Sequence, residues 1–151
     1  MITQLDIMDA IAALASEKLP VLKRVYTDLV PRDFQRPSLL MEAVTQSVFA
    51  VNCKTVRVDS FFTLTIYDET DDYSNSDTCR LLNWQQNILD LFRSGFLQVG
   101  DRSISVEAST GGRDWDKAFV DIQLTYHDNR DDTPDTTPLI ESVETDLTLK
   151  G

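Results

Sequence analysis

Leu5, Met8, Ile11, Ala12, Ala15 and Leu19 recur at three- and four-residue spacing, so the chain opens with an amphipathic helix. Thr3 is placed to cap it with Asp6 three residues on, Ile2 stands where a hydrophobic staple would, and Pro20 ends it. Residues 25–30 read as a short first strand and residues 31–37 as a loop between two prolines. The period then changes to two. Over residues 54–67, Val56, Val58, Ser60, Phe62, Leu64 and Ile66 share one face, and Arg57, Asp59, Phe61, Thr63, Thr65 and Tyr67 share the other. With the β-prone residues 38–49 before it, this segment predicts a long antiparallel hairpin turning at residues 50–53. Such a hairpin is longer than a small core requires, so its excess must find a partner or be solvated.

Residues 68–77 form a polar loop with five acids and no base. A second helix is predicted over residues 76–94, with Leu81, Leu82, Gln85, Ile88, Leu89 and Phe92 as its stripe and Gly95 as its terminator. Residues 96–99 and 102–109 make a tight hairpin around Gly100-Asp101. Residues 110–116 read as a flexible loop, 118–126 as a strand, 128–138 as a polar linker or arm, and 139–149 as a last strand. No repeat or second domain is visible. The order predicts one α+β domain over residues 1–151: an antiparallel or mixed sheet with a long hairpin and two amphipathic helices packed on one face. The tail from Asp128 is free to leave the domain and add a strand to a neighbouring copy's edge.

Composition narrows the function more than the fold. At 151 residues, with 42% hydrophobic residues and only five Gly and five Pro, the chain builds a real core and is not a disordered or collagen-like sequence. Fourteen Lys+Arg against 25 Asp+Glu give a net charge of -11, which repels phosphate and excludes a broad nucleic-acid-binding face. No apolar run approaches the roughly 18–20 residues that span a bilayer. The first residues, broken by Asp6 and Asp9, do not read as a signal peptide. Cys53 and Cys79 are expected to be reduced and half-buried.

Candidate chemistry is sparse. His127 is the single histidine and sits at a strand end beside Asp128, where solvent rather than a nucleophile is expected. The two cysteines and the histidine lack zinc-ligand spacing, the acidic loop lacks the calcium-loop order, and Thr110-Gly111-Gly112-Arg113 is no phosphate loop. Carboxylates are plentiful, but abundance alone identifies no acid–base pair. Trp115 either docks on a partner or folds back on the core.

Residues 34–41, Phe34-Gln35-Arg36-Pro37-Ser38-Leu39-Leu40-Met41, carry a familiar pattern. They resemble the F-x-R-P-S-hydrophobic lead into a strand found in a family of small tail terminator proteins. These are encoded by tailed phages and defective prophages, largely of Gram-positive bacteria. The resemblance extends in order over nearly the whole chain. It takes in Ile2-Thr3, the Asp6-Ile7-x-x-Ala10-Ile11 pattern, the arm from Arg57 to Tyr67, the aliphatic helix before Gly95, and Leu147-Thr148-Leu149-Lys150.

The resemblance implies a structural protein with no catalytic residue, metal or cofactor. Copies would form a ring, typically hexameric, at the head-proximal end of the tail tube, stop its polymerisation and offer the surface that joins the head. The implied partners are other copies of the chain, the tail tube protein and a head-completion or connector protein. DNA would pass through without specific binding, and no membrane would be involved. The implied place is the tail or neck of a virion, after synthesis in the host cytoplasm. On this reading Arg36, Arg57, Phe61, Arg113 and Trp115 are candidate subunit or tube contacts, and Asp71 and Asp72 are candidate lumen-lining acids. Three other readings stay open: another neck protein such as a head-completion or connector adaptor, a carboxylate-dependent hydrolase, and an acidic inhibitor that mimics nucleic acid.

Overall fold

The capping signal near the start of the chain is realised as a reciprocal box. Thr3 Oγ1 accepts from the Asp6 N–H at 3.2 Å, and the Asp6 carboxylate accepts from the Thr3 N–H at 2.9 Å. These two bonds satisfy donors that the first turn of α1 (Gln4–Lys18) leaves unpaired. The helix buries Ile7, Met8, Ile11 and Ala15. Leu5, expected in the stripe, is instead 71% exposed. At 3.6 residues per turn it lies about 120° around the axis from Ile11, and Ile7 takes its place.

The structure is a computed structural model and describes residues 2–27, 31, 32, 34–71, 73 and 76–129. After α1 come β1 (Arg24–Thr27), β2 (Ser38–Ala50), β3 (Thr55–Tyr67), α2 (Thr78–Leu91), β4 (Phe96–Val99), β5 (Arg102–Arg113) and β6 (Lys117–Asn129). The strands form one six-stranded mixed sheet in the order β1-β2-β3-β6-β5-β4, in which only β1 and β2 run parallel. The chain is α+β as the pattern predicts. The expected strand at residues 139–149, and the arm beyond Asn129, lie outside the described residues; Asp128 and Asn129 themselves belong to β6.

The alternation in β3 places the core. Val56, Val58, Ser60, Phe62, Leu64 and Ile66 are all buried, and the last five sit in register with buried Tyr126, Leu124, Ile122, Val120 and Ala118 of β6. Ile7, Ile11, Leu81 and Ile88 from the helices join the same cluster, with Ile104 and Val106 of β5. Both helices therefore cover one face of the sheet.

The surplus length of the hairpin has a specific resolution. β6 accompanies β3 along its full length, from Thr55 opposite Asn129 to Tyr67 opposite Lys117. The projecting part is thus a three-stranded ribbon rather than a free arm. β1 covers β2 over residues 38–41, and past that point the outer edge of β2 pairs with no described strand.

Three local expectations change. The segment at residues 110–116 is not a loop: β5 runs on to Arg113, and only Asp114, Trp115 and Asp116 make the turn. Gly111 is there for close approach rather than looseness, because a Cβ would stand 2.9 Å from the Phe119 Cβ on the neighbouring strand. In α2, Asp77 caps the helix by accepting from the Cys79 N–H, so the helix starts at Thr78 rather than at residue 76, and Trp84 is buried while Leu82 is 48% exposed. Gly95 does end this segment, with φ at +80°. Both cysteines are exposed rather than half-buried, since Cys53 sits in the β2–β3 turn and Cys79 in the first turn of α2.

Candidate functional site

The face of the sheet turned away from the helices presents polar and aromatic side chains, and its two ends differ. At the end where β3 finishes, the loop carrying Phe34 and Arg36 folds over it. The Phe34 ring lies 4.7 Å from that of Tyr67, and the Arg36 guanidinium sits 4.6 Å from the Phe34 centroid and 5.6 Å from that of Tyr67. Arg36 donates to the Asp68 carbonyl at 2.9 Å and pairs with the Asp116 carboxylate at 2.9 Å. The Arg36–Pro37 peptide bond is cis. The planar fork of arginine suits this sandwich of two rings, a carbonyl and a carboxylate in a way lysine does not. Arg36, expected as a subunit or tube contact, has partners inside the chain. Burial, and then the charges of Glu42 and Asp116, push the Tyr67 hydroxyl above its ordinary value, so it stays neutral.

Beside this clamp lies a residue that the sequence pattern passes over. Asp68, one of five acids in a loop expected to be solvated, is fully buried. Its Oδ1 accepts from Arg80 at 2.9 Å and from the Trp84 indole N–H at 3.2 Å. The base of β3 is therefore tied to α2 by a charge-assisted bond and an indole. A signal was available, since Trp84 falls on the buried side of α2, where an indole N–H needs an acceptor.

The opposite end, towards the β2–β3 turn, is open. Arg57 lies over the Phe49 ring at 4.6 Å and 3.6 Å from Asp59, and Phe61 is 38% exposed on the same face. Phe61 stands between two shallow grooves. One has Val44, Thr45, Thr63 and Asp121 in its walls, and the other Glu107, Ser109 and Gln123. Arg57 and Phe61 thus share one open stretch of this face. Arg113 and Trp115, both exposed, belong to the β5–β6 turn at the clamp end, roughly 25 Å away at strand rise. Trp115 is 63% exposed and does not fold back on the core. Asp71 lies in the loop after β3, where its carboxylate accepts from the Tyr73 N–H; Asp72 is outside the described residues.

Near the open end the start of the chain is fastened to β6. The Asp128 carboxylate accepts from the Ile2 N–H at 3.0 Å, and the Tyr126 hydroxyl donates to the Ile2 carbonyl at 3.2 Å. Burial pushes the Asp128 carboxyl up, but the N–H groups of Ile2 and Asn129 and the nearby Arg102 outweigh it and hold the group below its ordinary value. A depressed carboxyl contributes stability above its unfolded pKa and loses that contribution as pH falls through the folded one. Asp128→Asn should therefore cost about 1–2 kcal/mol at pH 7. The gap from wild type should narrow below about pH 4, as urea unfolding at a series of pH values will show.

His127 is exposed on β6, and among the described residues no group of three or more His, Cys, Asp or Glu is arranged to hold a metal ion. A groove of about 580 Å³ between α1 and the β4–β5 turn has Asp6, Asp9, Asp101 and Arg102 in its lining, and the Asp6 carboxylate there is engaged by the Thr3 N–H.

No family model matches the chain, and no curated protein matches it. Among solved structures the chain is similar to the sheath/tube terminator of an extracellular contractile injection system, PVC, determined by cryo-EM in the extended state. The likeness is one of fold. It has a TM-score of 0.52 at 12% sequence identity and covers 92% of this chain. The chain spans 62% of the length of that terminator.

Proposed function

We propose that this chain is a structural subunit that closes a phage-type tail tube. Copies assemble head-to-tail into a ring, a hexamer, that sits on the head-proximal end of the tube, stops its growth and offers the surface to which the head connector joins. The observation that carries this reading is the likeness of fold, over 92% of the chain, to a protein named a sheath/tube terminator. The sequence resemblance around Phe34-Gln35-Arg36-Pro37 points the same way.

Two further observations support it. The open sheet face carries Arg57 and Phe61 at one end, and Arg113 and Trp115 lie at the other, so a subunit has separate surfaces for two neighbours. A net charge of -11 suits a conduit, because carboxylates give DNA phosphates nothing to hold. Asp71 and Asp72 are the acids assigned to that lumen. On this reading the protein is not an enzyme and needs no cofactor, and its place is the tail or neck of the particle.

The test is tube capping. Tube protein polymerising in vitro should stop elongating when this protein is added at the concentration of tube ends, and electron micrographs should show a ring on one end. Unaltered tube growth, together with retention on portal-associated proteins, would overturn the terminator reading in favour of a connector adaptor.

A further inference from the structure

Residues 42–50 of β2 are a strand edge without a neighbour among the described elements. Nine residues extend about 30 Å, the length of a complete strand. Native sheets blunt such edges with lysines, prolines or short strands. This one has a single charge, Glu42, and no proline; its one irregularity is the bulge at Val44. Its side chains are also unusually apolar for an uncovered strand: Val44 is 57% exposed, Val48 59% and Phe49 46%. An edge of this kind accepts another strand through its backbone groups.

The sequence after β6 has the matching form. Asn129 is opposite Thr55, so residues 130–151 set out from the same end of the sheet at which β2 turns into β3. In residues 139–149, Leu139, Val143, Leu147 and Leu149 fall on one face of an alternating strand together with Glu141 and Thr145, and Glu144 and Asp146 fall on the other with Ile140. The apolar set would lie beside Ala43, Val48 and Ala50, which share the helix-side face of β2, and the acids would lie on the face that carries Arg57.

We infer that the edge at residues 42–50 receives residues 139–149 of a second copy. The connecting residues 130–138 contain Pro134 and Pro138, which favour extended backbone before and at each proline. Extended at about 3.1 Å per residue they reach about 28 Å. Their own β2 edge is about 14 Å away, three strand spacings, so the same extended connection reaches past it to the edge of a neighbour. The inference rests on the ring reading for the presence of that neighbour, and it assigns which edge and which segment join the two.

Cross-linking in the full chain tests it. In a background of Cys53→Ser and Cys79→Ser, chains carrying Val48→Cys are mixed with chains carrying Val143→Cys and treated with a short bismaleimide. A cross-linked pair of the two kinds of chain is expected, and Leu147→Asp should raise the concentration needed for assembly about tenfold or more, since a carboxylate would enter an apolar strand face. A chain carrying both cysteines that links only to itself would overturn the inference, because the edge would then be filled by its own tail. So would a ring of native mass that forms without any such cross-link, an outcome that leaves the terminator reading standing. A monomer at every concentration overturns it as well, and tube capping then judges the terminator reading separately.

Discussion

Phe62→Ala will destabilise the fold by about 3–5 kcal/mol, whereas Phe61→Ala beside it will cost about 1 kcal/mol or less. The two phenylalanines are neighbours in β3, and the strand's period of two sends them to opposite faces. Phe62 is 1% exposed, and its strand partners Ala43 and Ile122 lie across the two ladders of the central strand. Its removal leaves a cavity in the middle of the core, where neighbours held on both sides cannot collapse to fill it. Phe61 is 38% exposed over shallow grooves, so truncating it forfeits little burial. Urea unfolding measures both. If the Phe61 variant also fails to assemble while keeping its stability, Phe61 acts between subunits; equal losses of stability for the pair would contradict the assignment of faces.

Arg36→Ala is expected to cost about 3 kcal/mol, and Arg36→Lys should recover less than half of that. The arginine neutralises Asp116, whose side chain is 15% exposed, and satisfies the Asp68 carbonyl while filling the space between two rings. Truncation leaves a nearly buried carboxylate without its partner, which is the expensive half of a buried ion pair. Lysine restores a charge but offers neither the two-pronged donor nor the flat stacking surface. Thermal unfolding of the three proteins decides the point. A stable Arg36→Ala variant that fails only in assembly would return Arg36 to the subunit or tube contacts expected from the family resemblance.

The sequence showed most of the strands because alternation is a local signal. Residues 54–67 alternate without a break, so their ends and faces could be read to within a residue of β3. The first helix was equally legible at its cap, where Thr3 and Asp6 act over three residues. What escaped were properties fixed by distant parts of the chain. Gly111 looks like a loop residue until Phe119 is placed against it. Asp68 looks solvated until Arg80 and Trp84 converge on its carboxylate, and Arg36 looks like a free cation until Asp116 is brought across from the β5–β6 turn. The role of the hairpin also depended on a long-range fact, the pairing of β6 along all of β3. No periodicity in residues 54–67 could reveal that neighbour. The surface assignments suffered for the same reason: Arg57 and Phe61 follow from the alternation, but the wide separation of Arg113 and Trp115 from them needs the register of three strands.

The central position of β3 also bears on how the molecule is made. Its second neighbour, β6, ends at Asn129, far along the chain from Tyr67. At about 5–20 residues per second, a ribosome delivers that partner about 3–12 s after β3 itself has been synthesised. Throughout that interval the strand that will lie at the heart of the sheet is an edge, its backbone groups from Thr55 to Tyr67 unpaired on one side. Its closest pairing across the gap joins residues 50 positions apart, Tyr67 and Lys117, so closure is slow as well as late. A nascent chain interrupted before β6 would present to its surroundings a strand edge that the finished protein flanks on both sides.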